Sequence, residues 1–318
     1  MQSTTDRPRW KTLLAFAIIY FVWGSTYLAI RVGVREVPPF LFAAMRFLAA
    51  GLVLYGWMIA QGERPPTARQ WASASLLGIL IFVFDYGLLF WAERRVPSGL
   101  AAVMMATIPL FMALSEIILL RTQKLTPRLV LALLIGIGGV AVLVSRSLNL
   151  AGAPIDTAGA VALIFASLSW SVASILMRKL PLPPSKGMSS GAQMLAGGVF
   201  LSLAAAALGE FHNFQPWTVS LEAWLSLLYL IVAGSIIGFT AYVWLIHHES
   251  PTRVGTYAYV NPVVAVLIGY FLGGEALGLR TVLGTLFVLI SVVMITMSRS
   301  NKLPATLPQE KTTAEVEL

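Results

Sequence analysis

The sequence predicts an all-α polytopic membrane protein, with ten transmembrane helices arranged as two inverted repeats of five. Three observations carry this expectation. Of the 318 residues, 58% are hydrophobic and 11% charged, and the mean hydropathy is +0.81. Soluble domains carry about 25% charged residues, so this much apolar surface calls for lipid as its solvent. The apolar residues also fall into ten runs, each near the ~20 residues that a spanning helix needs. Finally, the runs repeat. Trp23-Gly24-Ser25-Thr26-Tyr27-Leu28-Ala29-Ile30-Arg31 has a faint copy in Trp170-Ser171-Val172-Ala173-Ser174-Ile175-Leu176-Met177-Arg178. The same offset carries Arg46 onto Gln193, and Leu48-Ala49-Ala50-Gly51 onto Leu195-Ala196-Gly197-Gly198. A slightly longer offset carries Val96-Pro97 onto Ser250-Pro251 and Pro109 onto Pro262. A chain built twice from one apolar unit points to a transporter, whose site lies between the repeats.

Residues 1–12 are polar and basic and lead into span 1, 13–33. Its apolar run, Leu13 to Ile30, exceeds the ~7–15 residues of a signal-peptide core, which predicts an uncleaved first helix. The remaining spans are 39–60, 71–92, 98–120, 127–145, 157–178, 188–208, 221–247, 251–273 and 280–298. Short connections separate the early ones: Glu36-Val37-Pro38, Gln61 to Gln70, Glu93 to Pro97 and Arg121 to Thr126. The repeats are then 13–147 and 155–299, and residues 300–318 form a polar tail expected to be disordered and cytoplasmic. Gly234 with Gly238, and Gly269 with Gly273, are small-xxx-small pairs that permit close helix approach.

Lysine and arginine set the orientation. With a cytoplasmic N-terminus, fifteen of the 22 fall on inner segments and six on outer ones, and Arg46 lies within a span. That bias satisfies the positive-inside rule and puts both termini in the cytoplasm, as an even number of spans requires. Five spans per repeat is an odd number, so the second repeat starts on the opposite side and is inverted. The net charge of +8 does not point to nucleic acid, because the basic residues are dispersed between apolar runs. There is no cysteine, so no disulfide framework exists and the redox compartment stays open.

Several stretches resemble the EamA branch of the drug/metabolite transporter superfamily, the ten-helix bacterial inner-membrane exporters. They are Val22-Trp23-Gly24-Ser25, Val96-Pro97-Ser98-Gly99, Ile108-Pro109-Leu110, Tyr259-Val260-Asn261-Pro262-Val263 and Gly273-Gly274-Glu275-Ala276-Leu277. Their order and spacing cover residues 10–300. The resemblance implies a basket-shaped bundle with a central cavity, and export of small metabolites such as amino acids.

Polar groups at membrane depth are costly and need a reason. Asp85, well inside span 3, is either a proton-coupling or cation-recognition site, or a structural partner of Arg46 or of backbone donors. Arg46 either holds a substrate carboxylate or forms a structural ion pair near a rim. Glu116 reads as a cap or a pair with Arg121 or Lys124, and Glu275 as a structural cap. The substrate-binding candidates are Trp23, Thr26, Tyr27, Asp85, Tyr86, Trp170, Ser174, Tyr242, Tyr257 and Asn261. Against each aromatic stands the plainer reading of helix packing or an interfacial belt. Tyr257 and Asn261 are spaced i, i+4 and share a face. Pro262 and Pro109 free the carbonyls of Ala258 and Met105, and are the kink and gate candidates.

No enzyme signature is present: no G-x-S-x-G elbow, H-E-x-x-H, P-loop or dinucleotide fingerprint. His247-His248-Glu249 reads as a surface cluster rather than a metal site, and no metal or cofactor is expected. The expected function is secondary transport by alternating access, with a small-molecule substrate, the bilayer and possible use of protons as partners. An uncoupled facilitator is the rival. An intramembrane enzyme would need a second deep acid or base beside Asp85, and an organic-anion exchanger would need more deep cations than Arg46.

Overall fold

The computed structural model describes residues 9–95, 101, 104–144, 156–212, 214–264 and 279–297. Ten helices follow one another: α1 Arg9–Val34, α2 Pro39–Ala60, α3 Ala68–Glu93, α4 Ile108–Leu120, α5 Pro127–Val144, α6 Thr157–Leu176, α7 Lys186–Ala207, α8 Leu221–His248, α9 over 251–264, and α10 Leu279–Met297. Six of them (α1, α2, α3, α6, α7 and α8) are long and apolar enough to cross a membrane. No strand occurs among the described residues. Phe21, Leu52, Leu134, Val161, Leu203 and Val293 point outward, where a bilayer would cover them. The expected tail, Glu275 and the Gly269–Gly273 pair lie outside the described residues.

The packing is symmetric under exchange of the repeats. Helix α1 packs on α8 and its counterpart α6 packs on α3; α2 packs on its own counterpart α7, and α5 on α10. The α2–α7 crossing shows the inversion directly. Gly51 approaches Leu195, Gly198 approaches Leu48, Gly191 approaches Tyr55 and Gly187 approaches Met58. As one helix advances the other retreats, so the counterparts run antiparallel. A Cβ at Gly51 would lie 2.7 Å from the Leu195 amide nitrogen, and one at Gly198 would lie 2.8 Å from the Leu48 amide nitrogen. The repeated Leu-x-x-Gly is thus a symmetric crossing that only glycine permits, and it marks where the two-fold axis passes. Helices α5 and α10 do likewise: Gly139 meets Val288, and Gly136 meets Ser291.

Two counterpart helices are π-helical at mid-span, α3 over Ile79–Gly87 and α8 over Leu230–Ile237. The apolar pattern gave no sign of this. A π-turn disturbs the regular i→i−4 ladder, and lipid offers no water to replace it. Side chains from α1 and α6 fill the gap: Trp23 Nε1 donates to the Gly234 carbonyl (3.0 Å), and Ser169 donates to that of Leu80 (2.8 Å).

Helix α4 begins after a turn at Ala106-Thr107, with Pro109 in its first turn. Ser171 donates to the Ile108 carbonyl (3.3 Å), and Thr107 Oγ1 to that of Met104 (2.6 Å). Helix α9 departs from expectation. Its interruption is at Gly255-Thr256, and the backbone runs on as helix through Pro262. Gly255 is where α4 comes closest, since a Cβ there would meet Met112 Sδ at 2.7 Å and Pro109 Cα at 3.3 Å.

Three carboxylates cap helix N-termini across the repeat boundary. Glu36 accepts from the Ser220 amide and hydroxyl, both at 2.6 Å, at the start of α8. These bonds hold its carboxyl below the usual range. Glu210 accepts from the Leu41 amide (2.7 Å) in the first turn of α2; burial pushes its carboxyl up. Glu116 caps α9 on the opposite face of the bundle. Each places an anion at the positive end of a helix dipole.

Candidate functional site

The cavity lies on the symmetry axis. Trp23 and its counterpart Trp170 touch edge to face, with ring centroids 5.5 Å apart. Two related residues can meet only at the axis that relates them. Around them lies a cavity of about 30 Å³ lined by Trp23, Thr26, Tyr27, Ile30, Asp85, Tyr86, Leu89, Met105, Ile108, Trp170, Tyr257 and Asn261. Its walls come from α1, α3, α4, α6 and α9 and from the stretch that precedes α4. Apart from Tyr27, every wall residue is at most 8% exposed, so the cavity is closed to both faces.

Eight of the ten residues singled out from sequence line this cavity. Ser174 and Tyr242 stand just behind it, hydrogen-bonded to each other. Tyr242 packs on both tryptophans, 5.2 Å from Trp23 and 4.8 Å from Trp170. Tyr257 reaches Trp23 at 4.9 Å, and Tyr86 reaches Trp170 at 5.8 Å. These rings form one continuous cluster, not an interfacial belt. Belt positions exist elsewhere: Trp10 is 59% exposed and Trp217 79%.

Asp85 is 2% exposed. Its Oδ1 has no hydrogen-bond partner among the described residues. The reading in which Arg46 neutralises it does not hold. Arg46 is itself 1% exposed, donates from Nε to Ser235 Oγ (2.8 Å) and leaves Nη1 unpartnered. Its guanidinium lies 5.0 Å from the centre of the Tyr86 ring and 4.7 Å from that of Phe47. Tyr86 therefore separates the two charges. Gly234 makes the space, since a Cβ there would lie 2.8 Å from Arg46 Nη2. Gly238 likewise clears Trp23, whose Nε1 would lie 2.5 Å from an added Cβ. The Gly234–Gly238 pair thus admits large side chains rather than a bare helix backbone.

Asn261 joins α9 to α1. Oriented to satisfy both neighbours, its amide nitrogen donates to the carbonyls of Tyr257 (3.0 Å) and Tyr20 (3.2 Å). Tyr20 also bonds Thr256 Oγ1 (2.7 Å), beside the interruption of α9. Gly24 allows this approach, as a Cβ there would lie 2.7 Å from Val264 Cβ.

Two acids need fresh accounts. Glu116 pairs with neither Arg121 nor Lys124. Its carboxylate accepts from Thr122 Oγ1 (3.1 Å), Ser250 Oγ (2.9 Å), the Thr252 amide (3.1 Å) and Thr252 Oγ1 (2.7 Å). It fastens the end of α4 to the start of α9. Glu93, placed by sequence in a connection, is helical, 7% exposed and unpartnered at Oε1. It stands eight residues beyond Asp85, two turns along the same face, and that spacing was the available signal. No metal-binding group of three or more His, Cys, Asp or Glu occurs among the described residues. His247 and His248 bond the carbonyls one turn back.

A ten-helix bundle with a closed polar-aromatic cavity on an inverted-repeat axis is the architecture of a membrane transporter. Residues 10–145 and 157–297 each match the EamA-like transporter family, and the chain belongs to that family. It is 40% identical over 288 residues to the uncharacterized inner membrane transporter YedA of Escherichia coli K12, with 90% of each chain covered. Protein PecM of Dickeya dadantii is 29% identical over 276 residues, covering 86% of this chain and 88% of its own. A crystal structure covering 93% of this chain and all of its own superposes with a TM-score of 0.73 at 21% identity. That likeness speaks for the fold alone.

Proposed function

We propose that this transporter exports a small amino-acid-like metabolite across the inner membrane by alternating access, with Asp85 coupling export to protons. One observation carries the reading: a closed cavity on the two-fold axis, walled by both repeats and holding an unpaired carboxylate. An inverted-repeat protein opens to either side by exchanging the conformations of its halves, and a closed cavity is the midpoint of that exchange. The lysine and arginine bias supports cytoplasmic termini, so Glu116 closes the cytoplasmic end, while Glu36 and Glu210 close the other. The approach of Pro109 to Gly255 gives α4 and α9 a fulcrum between these latches.

Flux in proteoliposomes under an imposed pH gradient tests the reading. Wild-type flux should follow the gradient, and Asp85→Asn should abolish that response. Tyr257→Ala and Asn261→Ala should each reduce flux while inserting normally. Flux indifferent to pH would leave an uncoupled facilitator. Full flux in both α9 variants would remove the site from this cavity.

A further inference from the structure

The cavity is charged in one sense only. Of its twelve wall residues, Asp85 is the sole carboxyl, and no lysine, arginine or histidine lines the wall among the described residues. The nearest deep cation, Arg46, lies behind Tyr86, and its guanidinium is committed to Ser235 and to two ring faces. Around Asp85 stand Trp23, Trp170, Tyr86 and Tyr257, joined in ring-to-ring contact. An unpaired carboxylate in a box of electron-rich rings recognises one chemistry, because ring faces and the carboxylate both attract positive charge. The same box repels a carboxylate and offers it no ammonium or guanidinium partner.

We propose that the cavity takes a compact organic cation, an aromatic or alkyl amine whose ammonium sits on Asp85 within the aromatic box. The inference rests on the transporter reading and revises its substrate, from an amino-acid-like metabolite to an amine without a carboxylate. The cavity is narrow as it stands, about 30 Å³, room for a few waters, so the ligand enters only as the walls move apart. Thr26 and Asn261 spend their donors on backbone carbonyls. The Tyr257 hydroxyl remains to orient the uncharged part of the ligand.

The test is a matched series differing in charge and little else: phenethylamine, phenylalanine and 3-phenylpropionate. Each is titrated into the detergent-solubilised full chain and followed by calorimetry. Phenethylamine should bind at least tenfold tighter than phenylalanine, and phenylpropionate should not bind. Asp85→Asn, a near-isosteric change, should weaken phenethylamine at least tenfold. Trp170→Leu, which removes one ring and leaves the carboxylate, should weaken it severalfold and so guards against a folding defect in the first variant. Tighter binding of phenylalanine or phenylpropionate, or undiminished amine binding by Asp85→Asn, overturns the proposal. The transporter reading fails separately: amine binding with no flux of phenethylamine in proteoliposomes would sink transport and leave the cation site standing. Metabolite flux without amine binding would do the reverse.

Discussion

If Glu116 latches the cavity at one end, removing it should open that end and no other. Glu116→Ala takes the acceptor from four donors: the hydroxyls of Thr122, Ser250 and Thr252, and the Thr252 amide. Glu116 is 1% exposed and Thr252 2%, so the stranded amide in particular is not rehydrated while the latch stays shut. A buried donor left unpaired costs about 1–3 kcal/mol. The lost anion at the start of α9 adds roughly 0.3–1 kcal/mol. If the hydroxyls rotate to other acceptors and the amide does not, the closed state loses about 3 kcal/mol, a shift of roughly 100-fold in the open-to-closed ratio. Opening lets water reach every one of these donors, so the cost falls on the closed state alone. The chain has no cysteine, which makes a single introduced thiol a clean reporter. Ile108→Cys places one on the cavity wall. Its labelling by a membrane-impermeant maleimide from the Glu116 face should rise steeply in Glu116→Ala and to a smaller degree in Glu116→Gln. Labelling from the other face should not rise. Equal rates from the Glu116 face with and without the carboxylate, in protein that stays folded, would refute the latch.

Three further outcomes follow from the geometry. Gly51→Ala drives a Cβ into the Leu195 backbone and should cost about 1–3 kcal/mol; Gly56→Ala on the same helix meets nothing within 4 Å and should be neutral, or gain up to ~1 kcal/mol of helix propensity. Thermal melts in detergent compare the two. Ser171→Ala strands the Ile108 carbonyl and Ser169→Ala that of Leu80; each should cost about 1 kcal/mol in the same melts, with faster amide exchange confined to α4 or α3. The Glu36 carboxyl is held below its usual range by Ser220. Its cap therefore contributes above the unfolded carboxylate range and is lost as pH falls through the lowered value. Glu36→Gln should lower the melting temperature at pH 7, and the difference should shrink and vanish as pH falls below the usual carboxylate range.

Much of the fold was legible in sequence because its two signals are long-range averages. Apolar run length fixes a spanning helix, and a repeated pattern fixes the pairing of spans. Leu48 to Gly51 and Leu195 to Gly198 were legible as a repeat, but that they meet at the α2–α7 crossing is seen only in the structure. The π-segments of α3 and α8 were not legible. Their stretches, Ile79–Gly87 and Leu230–Ile237, read as ordinary apolar helix, and what stabilises the altered ladder comes from elsewhere in the chain, from Ser169 and Trp23. Glu93 and Glu116 were misjudged for a related reason. Nearness in sequence to Arg121 and Lys124 suggested a local pair, but Glu116 is satisfied by hydroxyls more than 130 residues away. The site aromatics were legible as a set, because Trp23 and Trp170 occupy equivalent places in the two repeats and equivalent residues can meet on the axis.

The asymmetric positions then acquire a physical meaning. In a strictly symmetric chain, opening to either side would cost the same, and the cavity would have no preferred direction. Three departures break that balance. Asp85 corresponds to Phe239, which meets Phe82 edge to face in the core at 5.3 Å, so the carboxyl reaches the cavity from one repeat only. Arg46 corresponds to Gln193, whose amide nitrogen donates to Ser189 one turn away (3.0 Å). Glu116 corresponds to Gly269 or Tyr270 in sequence, so a carboxylate latch of this kind has no counterpart at the equivalent place in the second repeat. The first departure gives the cavity its carboxyl, and the second places a buried cation outside the wall. The third makes the two ends unlike: Glu116 holds one, and Glu36 and Glu210 hold the other. A ligand that draws Asp85 toward α6 and α9 changes the strain on the same α4–α9 contact that Glu116 holds shut. Under the proposed function, occupancy and opening would meet at the α4–α9 contact, where Pro109 approaches Gly255.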